Sequence, residues 1–344
     1  LSVRALVKPD LRSPPRIEEH SDPAPGAEEV LVAVRATGIC GTDLHILAGA
    51  YAHAEPLIPG HEFAGEIVGL GEGVTGWRTG ERVVGELHVG ACRACAICRS
   101  GNPQICPRKR ALGTWSDGAF SELLAIPGWL LHRIPEGLCD AAATLIEPAA
   151  CAWHGLLERS HIDPGDRVLI VGHGPIGLLS ALIAGRSNAS RVILVGRSRR
   201  ATTRLDAARA LGCEVLDATS EDVAGRIAEL TAGRGVDLAV ETAGSADALA
   251  TCIACCRPGG RVAVLGLSGR PTVPLAWDLA LVKDLTLAFS FSSRVSSWKG
   301  VLDLVQAGGL PTAALVTHVL GLDDWSVGFD AARSGAAVKV VLRP

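Results

Sequence analysis

Apolar positions along the chain follow two different rhythms. In the first 150 residues they come in short alternating runs, "EVLVAVRATG", "FAGEIVGLG" and "ERVVGEL", divided by Gly- and Pro-rich turns. Period-two alternation with frequent turn signals predicts an irregular antiparallel barrel or sandwich. Around Asp163 the texture changes. "RVLIVG", "RVILVG", "EVLDA", "VDLAVETAG", "RVAVLGL" and "LTLAFSF" are β-rich runs, and the first four gaps hold stretches of helical length such as "PIGLLSALIAG". Six strands with helical crossovers predict a parallel, doubly wound sheet. After about Ser292 the rhythm breaks again, into a helix over "SSWKGVLDLVQAG" and a closing strand "AVKVVLRP", a tail placed to return to the first domain. No internal repeat is visible.

Composition narrows the class. A chain of 344 residues is long enough for two domains. The net charge is -3 and the basic residues are scattered, which argues against a nucleic-acid surface or a polybasic membrane anchor. No apolar run is long enough to span a bilayer, and the opening "LSVRALVKPDLRSPPR" has no hydrophobic signal core. The expectation is a cytoplasmic enzyme with a small-molecule substrate and neither nucleic acid nor membrane as partner. Eleven cysteines in a chain of this size read as metal ligands rather than a secreted disulfide framework.

Four of them fall in "ACRACAICRSGNPQICPR", as Cys92, Cys95, Cys98 and Cys106. Two close pairs of thiolates can wrap a tetrahedral zinc ion and leave it no open position. An iron–sulfur cluster is the alternative that the spacing also allows. A structural zinc is the preferred reading, so the chemistry has to be sought elsewhere. "TCIACCRPGG" looks like a further cluster, but it falls on an expected helix before the fifth strand, where small buried side chains explain it better.

Two upstream segments, "GICGTDLHI" and "PGHEFAGEIVG", supply Cys40, His61 and Glu62: a soft, a borderline and a hard donor. Catalytic zinc typically takes three protein ligands and keeps one position open. Further along, "RVLIVGHGPIG" gives Gly172, Gly174, Pro175, Ile176 and Gly177 as G-x-G-x-x-G between a strand and a helix. The glycines permit the tight turn and close approach of a pyrophosphate to the helix N-terminus. NAD enzymes usually carry Asp or Glu at the end of the second strand. Here that place holds Gly196, followed by Arg197, Ser198, Arg199 and Arg200. Without the carboxylate nothing repels a 2′-phosphate, and guanidinium groups pair with phosphate in two hydrogen bonds. NADP is therefore expected, with NAD as the alternative.

Taken in order, "GICGTDLHI", "PGHEFAGEIVGLGEGV", the four-cysteine loop, "DGAFSE", "IEPAACAWHGL" and "VLIVGHGPIGLLSALIA" resemble the zinc-dependent medium-chain alcohol dehydrogenases, most closely the sorbitol (polyol) and threonine dehydrogenase branch. The resemblance covers essentially the whole chain. It implies a GroES-like β-rich catalytic domain (1–150 and 292–344) carrying two zinc sites, and a Rossmann domain (151–291) inserted in it, with the active site in the cleft between them. It implies Cys40 and His61 as ligands of the catalytic zinc, with Glu62 and Glu147 of the "EP" motif sharing the remaining protein ligation. Cys151 is a lower-ranked rival. By the same resemblance Asp43 orients His61, Thr42 sits on the reacting oxygen, and His45 ends the proton relay. His53, His88, His154, His173 and His318 stay structural or unassigned.

The implied activity is reversible NADP-linked oxidation of a secondary alcohol, a polyol, cyclitol or amino alcohol, to its ketone, in a homodimer or homotetramer paired through the exposed edge of "LTLAFSF". Three alternatives stay open: a biosynthetic NADPH-dependent reductase of a larger ketone or aldehyde, a non-catalytic zinc-ribbon binding protein, and a zinc-free relative. Tyr51, His53, Trp115 and Phe120 fall in segments expected to line the pocket.

Overall fold

The structure, a computed structural model, describes residues 2–198 and 202–344. It divides into two compact units, one of Leu1–Glu147, Arg294–Arg333 and Lys339–Pro344, the other of Pro148–Ser293 and Ser334–Val338. Among the described residues no helix is long and apolar enough to cross a membrane.

In the second unit six strands form one parallel sheet, in the order Glu214–Asp217, Arg191–Gly196, Arg167–Val171, Val236–Glu241, Cys256–Val264, Thr286–Phe289. Its inner strands are near-continuous apolar runs because helices cover both faces, so alternation would leave polar groups in the core. Leu169, Ile193, Ala239 and Val262 fill that core. The first strand in sequence is central, and the chain then builds outward in each direction. This leaves a switch point beside Arg167–Val171, where doubly wound sheets bind their ligands. Helix Pro175–Arg186 begins there, with Gly174 as its N-cap and proline at its first position, an arrangement preset for helix entry.

The cysteine-rich decoy splits between two elements. Cys252 and Cys255 lie buried on helix Ala246–Cys255, but Cys256 opens the next strand rather than ending the helix. Burial pushes the thiols of Cys255 and Cys256 up to about 11, as expected of inert core cysteines.

The first unit is organised on the long strand Glu29–Gly38. It pairs antiparallel with Glu62–Leu70, with Leu123–Pro127, and with the C-terminal strand Lys339–Arg343, where Val341 faces Gly38. Alternate residues Val30, Val32 and Val34 point into a core with Phe63, Ile67, Leu124 and Ile126, the half-buried pattern that the alternation predicts. The register has one consequence for chemistry. Gly38 faces Glu62 across the pair, so the segment leaving one strand, Ile39-Cys40, meets the segment entering the other, Gly60-His61.

Several elements carry too little periodicity to be read from sequence. Helix Gly41–Leu47 is 7 residues long, and the strand Val316–Gly321 and helix Trp325–Ser334 follow in the tail. Phe120, in a segment expected to line the pocket, is fully buried, with its ring edge-on to Phe329 at 5.8 Å.

Candidate active site and metal centres

Cys40, His61 and Glu62 offer ligand atoms that all lie within 4.8 Å of one another. Strand register supplies the proximity, and Asp43 refines it. Asp43 is completely buried; its Oδ2 accepts a hydrogen bond from the Cys40 backbone N–H at 2.9 Å, and its Oδ1 lies 3.5 Å from Nδ1 of His61. One carboxylate thus fixes the backbone of one donor and the ring of the other, leaving Nε2 of His61 for a ligand. Burial pulls the His61 pKa down, but Asp43 and Cys40 overbalance it and hold it well above 6.5. A cation placed there would replace that proton.

Glu62 has a partner that sequence reading did not find. Its carboxylate meets the ammonium of Lys339, both groups 1% exposed, and Lys339 also donates to the Ile39 carbonyl at 2.9 Å. A Cβ on Gly38 would lie 2.3 Å from Oε2 of Glu62 and 2.7 Å from Cε of Lys339, so only glycine leaves room for the pair. A buried carboxylate with a balanced charge avoids the cost of desolvating it alone. Glu147 is also buried, on helix Ile146–Trp153, but is not among the three donors that share the 4.8 Å spacing. Cys151 follows on the same helix, half-buried.

Thr42 and His45 stand one turn apart on the helix that starts at Gly41, on one face by helical spacing. Thr42 is half-buried with Oγ1 3.9 Å from Sγ of Cys40, and His45 is exposed. A hydroxyl beside the donor group and an imidazole at the surface are groups of the kind that can pass a proton.

The four-cysteine loop fits a closed tetrahedron. The sulfurs of Cys92 and Cys98 are 3.9 Å apart, those of Cys95 and Cys106 4.0 Å, and those of Cys92 and Cys106 3.7 Å. Metal–sulfur arms of about 2.3 Å give a tetrahedron with edges of roughly 3.8 Å. Backbone N–H groups of Ala94 and Cys95 bring the Cys92 thiol down to about 6, whereas burial and then the neighbouring sulfurs push Cys98 up to about 12. Four sulfurs this close cannot all ionise unless a cation joins them.

The glycine loop keeps one face clear. A Cβ on Gly177 would lie 1.9 Å from the Gly172 carbonyl, and one on Gly172, at φ +126°, would lie 2.3 Å from Oγ1 of Thr242. A Cβ on Gly174 would meet nothing within 4 Å. Gly172 and Gly177 close the turn, and Gly174, the N-cap, leaves the helix N-terminus open to an anion. Pro175 and Ile176 complete the first turn. Thr242, another residue that sequence reading missed, lies 3.2 Å from the Val171 carbonyl and 3.3 Å from that of Gly172, both acceptors for its hydroxyl. Next to it Glu241 accepts the backbone N–H groups of Ala243 and Gly244 at 2.8 and 2.7 Å.

Gly196 ends the second strand in register with Asp217. Asp217 accepts the backbone N–H groups of Ser198 at 3.0 Å and Thr219 at 2.9 Å. Arg197 is exposed, 3.3 Å from Asp247. Asp247 borders a cavity of about 230 Å³ with Gly244, Ser245, Ser268 and Arg270. Arg199 and Arg200 lie outside the described residues.

Comparison with known proteins places this geometry. Residues 26–136 match the alcohol dehydrogenase GroES-like domain, and residues 175–307 match the zinc-binding dehydrogenase domain. The chain is 36% identical to a sorbitol dehydrogenase of Halalkalibacterium halodurans over 95% of each chain. It is 34% identical to an L-threonine 3-dehydrogenase of Rhizobium johnstonii over 99% of this chain and 98% of that one. Among solved structures it is similar to a zinc-binding dehydrogenase from Sinorhizobium meliloti bound to NADP, at a TM-score of 0.90 and 30% identity with both chains covered in full. An alcohol dehydrogenase from a Thermus species matches at 0.90 and 31% over 99% of each chain. Two domain matches, near full-length relatives and the same architecture agree: the chain belongs to the zinc-dependent medium-chain alcohol dehydrogenases, NAD(P)-linked oxidoreductases of the alcohol dehydrogenase superfamily.

Proposed function

We propose that this enzyme oxidises a secondary alcohol carrying further polar groups, a polyol, cyclitol or amino alcohol, reversibly to its ketone with NADP. The observation that carries the reading is the group of half-buried Cys40 and buried His61 and Glu62, with Thr42 beside it and His45 one helical turn on. Zinc, when bound, supplies a Lewis acid that makes an alcohol more acidic, and the nicotinamide accepts the hydride. Cys40 and His61 hold the metal, with Glu62 and Glu147 sharing the third place. The Thr42 hydroxyl takes the substrate proton as it passes its own onward, and His45 releases it to water. Asp43 keeps the His61 ring in place, and the loop from Cys92 to Cys106 holds a second, structural zinc.

The substrate class rests on two relatives named for a polyol and an amino alcohol. The choice of NADP rests on Gly196, Arg197 and Ser198, with Arg200 as a further candidate, and on the NADP-bound relative. For assembly, the edge strand Thr286–Phe289 and the helix before it expose Leu281 at 69%, Val282 at 82% and Phe289 at 65%. An open strand edge with apolar flanks is a surface that a second copy would cover, and a homodimer or homotetramer follows.

Metal content and initial rates test the reading together. Two zinc ions per chain are expected, and polyols, cyclitols or amino alcohols should turn over faster with NADP than with NAD. Undiminished turnover after removal of both metals would overturn the zinc chemistry. Equal or faster turnover with NAD would overturn the cofactor choice, and activity confined to primary alcohols the substrate class.

A further inference from the structure

His173 occupies the second position of the glycine motif, and neither the motif nor the zinc chemistry gives it a role. Its surroundings do. A Cβ on Gly196 would lie 2.7 Å from Cγ and 2.9 Å from Cβ of His173, and 2.4 Å from Cδ2 of Leu205. Gly196 is not among the glycines with positive φ, so backbone conformation does not require glycine there. Space does. The leucine methyl ends a flexible side chain and can turn away. Cβ of His173 cannot, because the backbone between Gly172 and Gly174, in the turn that leads into helix Pro175–Arg186, fixes it; its ring moves only by rotation about the Cα–Cβ bond.

The place so filled is where an NAD enzyme carries the carboxylate that binds the ribose 2′-OH. We propose that His173 is a specificity-determining residue: its ring fills the volume of that carboxylate, so that cofactor choice is set jointly by positions 173 and 196. This deepens the NADP reading and rests on it. The other carboxylate at this corner, Asp217, has its Oδ1 taken by the N–H groups of Ser198 and Thr219. The ring also fills the space without adding charge. Burial, and then Arg204 on helix Thr202–Ala210, hold its pKa down to about 4 against the opposite pull of Asp217. Positive charge next to Gly196 is left to the exposed Arg197, and the ring of His173 keeps a competing carboxylate out.

The test is a pair of double-mutant cycles on the zinc-loaded, full-length protein, read by NADP and NAD binding and by thermal melting. Gly196→Asp alone should weaken NADP by at least about tenfold and gain no NAD affinity, because the new side chain has nowhere to go. Adding His173→Gly should open the space and tighten NAD at least about tenfold over the single variant, with NADP still weak. In case the aspartate variant folds poorly, Gly196→Ala with and without His173→Gly asks the same steric question. The alanine should lower the melting temperature, and the glycine should restore part of it. Gly196→Asp alone binding NAD as tightly as the double variant, or additive melting shifts in the alanine cycle, would overturn the proposal. Wild-type protein binding NAD as tightly as NADP would overturn the NADP reading instead, and with it the specificity role. The alanine cycle would still report whether His173 and Gly196 compete for one space.

Discussion

The two cysteine-bearing regions of the first unit solve opposite problems. Between Cys92 and Cys106 all four donors are alike and all come from one local segment. Backbone groups inside that segment aim them, the Cys95 N–H pointing at the Cys92 sulfur at 3.3 Å and the Cys98 N–H at the Cys95 sulfur at 3.4 Å. Three of these cysteines are partly exposed. The Cys40 group takes three kinds of donor from the ends of two paired strands, and its His61 and Glu62 are 6% and 1% exposed. Four thiolates complete a zinc shell, whereas three mixed donors leave a place for another oxygen. Burial also strengthens every charge–dipole contact made there, as catalysis requires and a staple does not. The four-sulfur loop thus has three partly exposed donors and one buried, whereas the mixed group has one partly exposed donor, Cys40, and two buried ones.

On the proposed reading, with one zinc at each site, that contrast can be broken by losing one zinc at a time. The largest effect should follow Cys95→Ser. Structural zinc is worth roughly 10 kcal/mol in isolated zinc fingers, and even a fraction of that in this loop should lower the melting temperature by about 10 °C or more. Zinc should fall from two ions to one per chain, while the molecules that stay folded keep their KM. His61→Ala should also leave one zinc, with the opposite balance of effects: a smaller fall in melting temperature, from the buried Asp43 left without its partner, and kcat/KM reduced about a thousandfold, since a Lewis acid is worth several kcal/mol in the transition state. Metal analysis beside calorimetry and kinetics would check both. Two variants of equal zinc content and equal activity would abolish the distinction between the sites.

The same contrast explains what was legible in the sequence. The four-cysteine loop could be read because its donors and the turns that aim them are neighbours in the chain, and the glycine motif because it sits between a strand and its own helix. The six parallel strands announced themselves as apolar runs at regular spacing. Cys40, His61 and Glu62 were suggestive residues whose meeting depends on Gly38 facing Glu62 across two strands, and spacing alone does not reveal a register. Lys339 was visible only as one residue of a closing strand, and nothing local marks it as the partner of Glu62. Thr242 and His173 went unassigned for the same reason. Each acts on a glycine from a different part of the chain, and an absent side chain does not say what fills its space.

A smaller effect would sharpen the comparison from the acid side. Glu86 follows strand Arg82–Gly85 on the way into the cysteine loop. It is fully buried, with His132 Nε2 at 2.9 Å and His88 Nε2 at 3.3 Å from its two oxygens. The His132 ring stacks on Trp298 at 5.0 Å. Burial works to raise the Glu86 pKa, but hydrogen bonds from His132 and His88 overbalance it, and the carboxyl stays below its ordinary 4.5. A carboxyl held lower in the folded state stabilises the fold above its unfolded pKa, and that stability is lost as pH falls through 4.5 towards the folded value. Glu86→Gln should therefore cost stability of order 1–3 kcal/mol near neutrality, the range for hydrogen bonds to a charged group, and should flatten the acid limb of the melting curve. Because backbone bonds tie Leu87 and Val89 to Leu112 and Arg110 at the far side of the loop, the loosening should reach the four-sulfur site first. Zinc release on acidification should then begin there at a higher pH than in the unaltered protein, with the Cys40 site unchanged. Loss of both ions at one pH would mean that this buried carboxylate supports the unit as a whole and the two sites do not differ in how they are held.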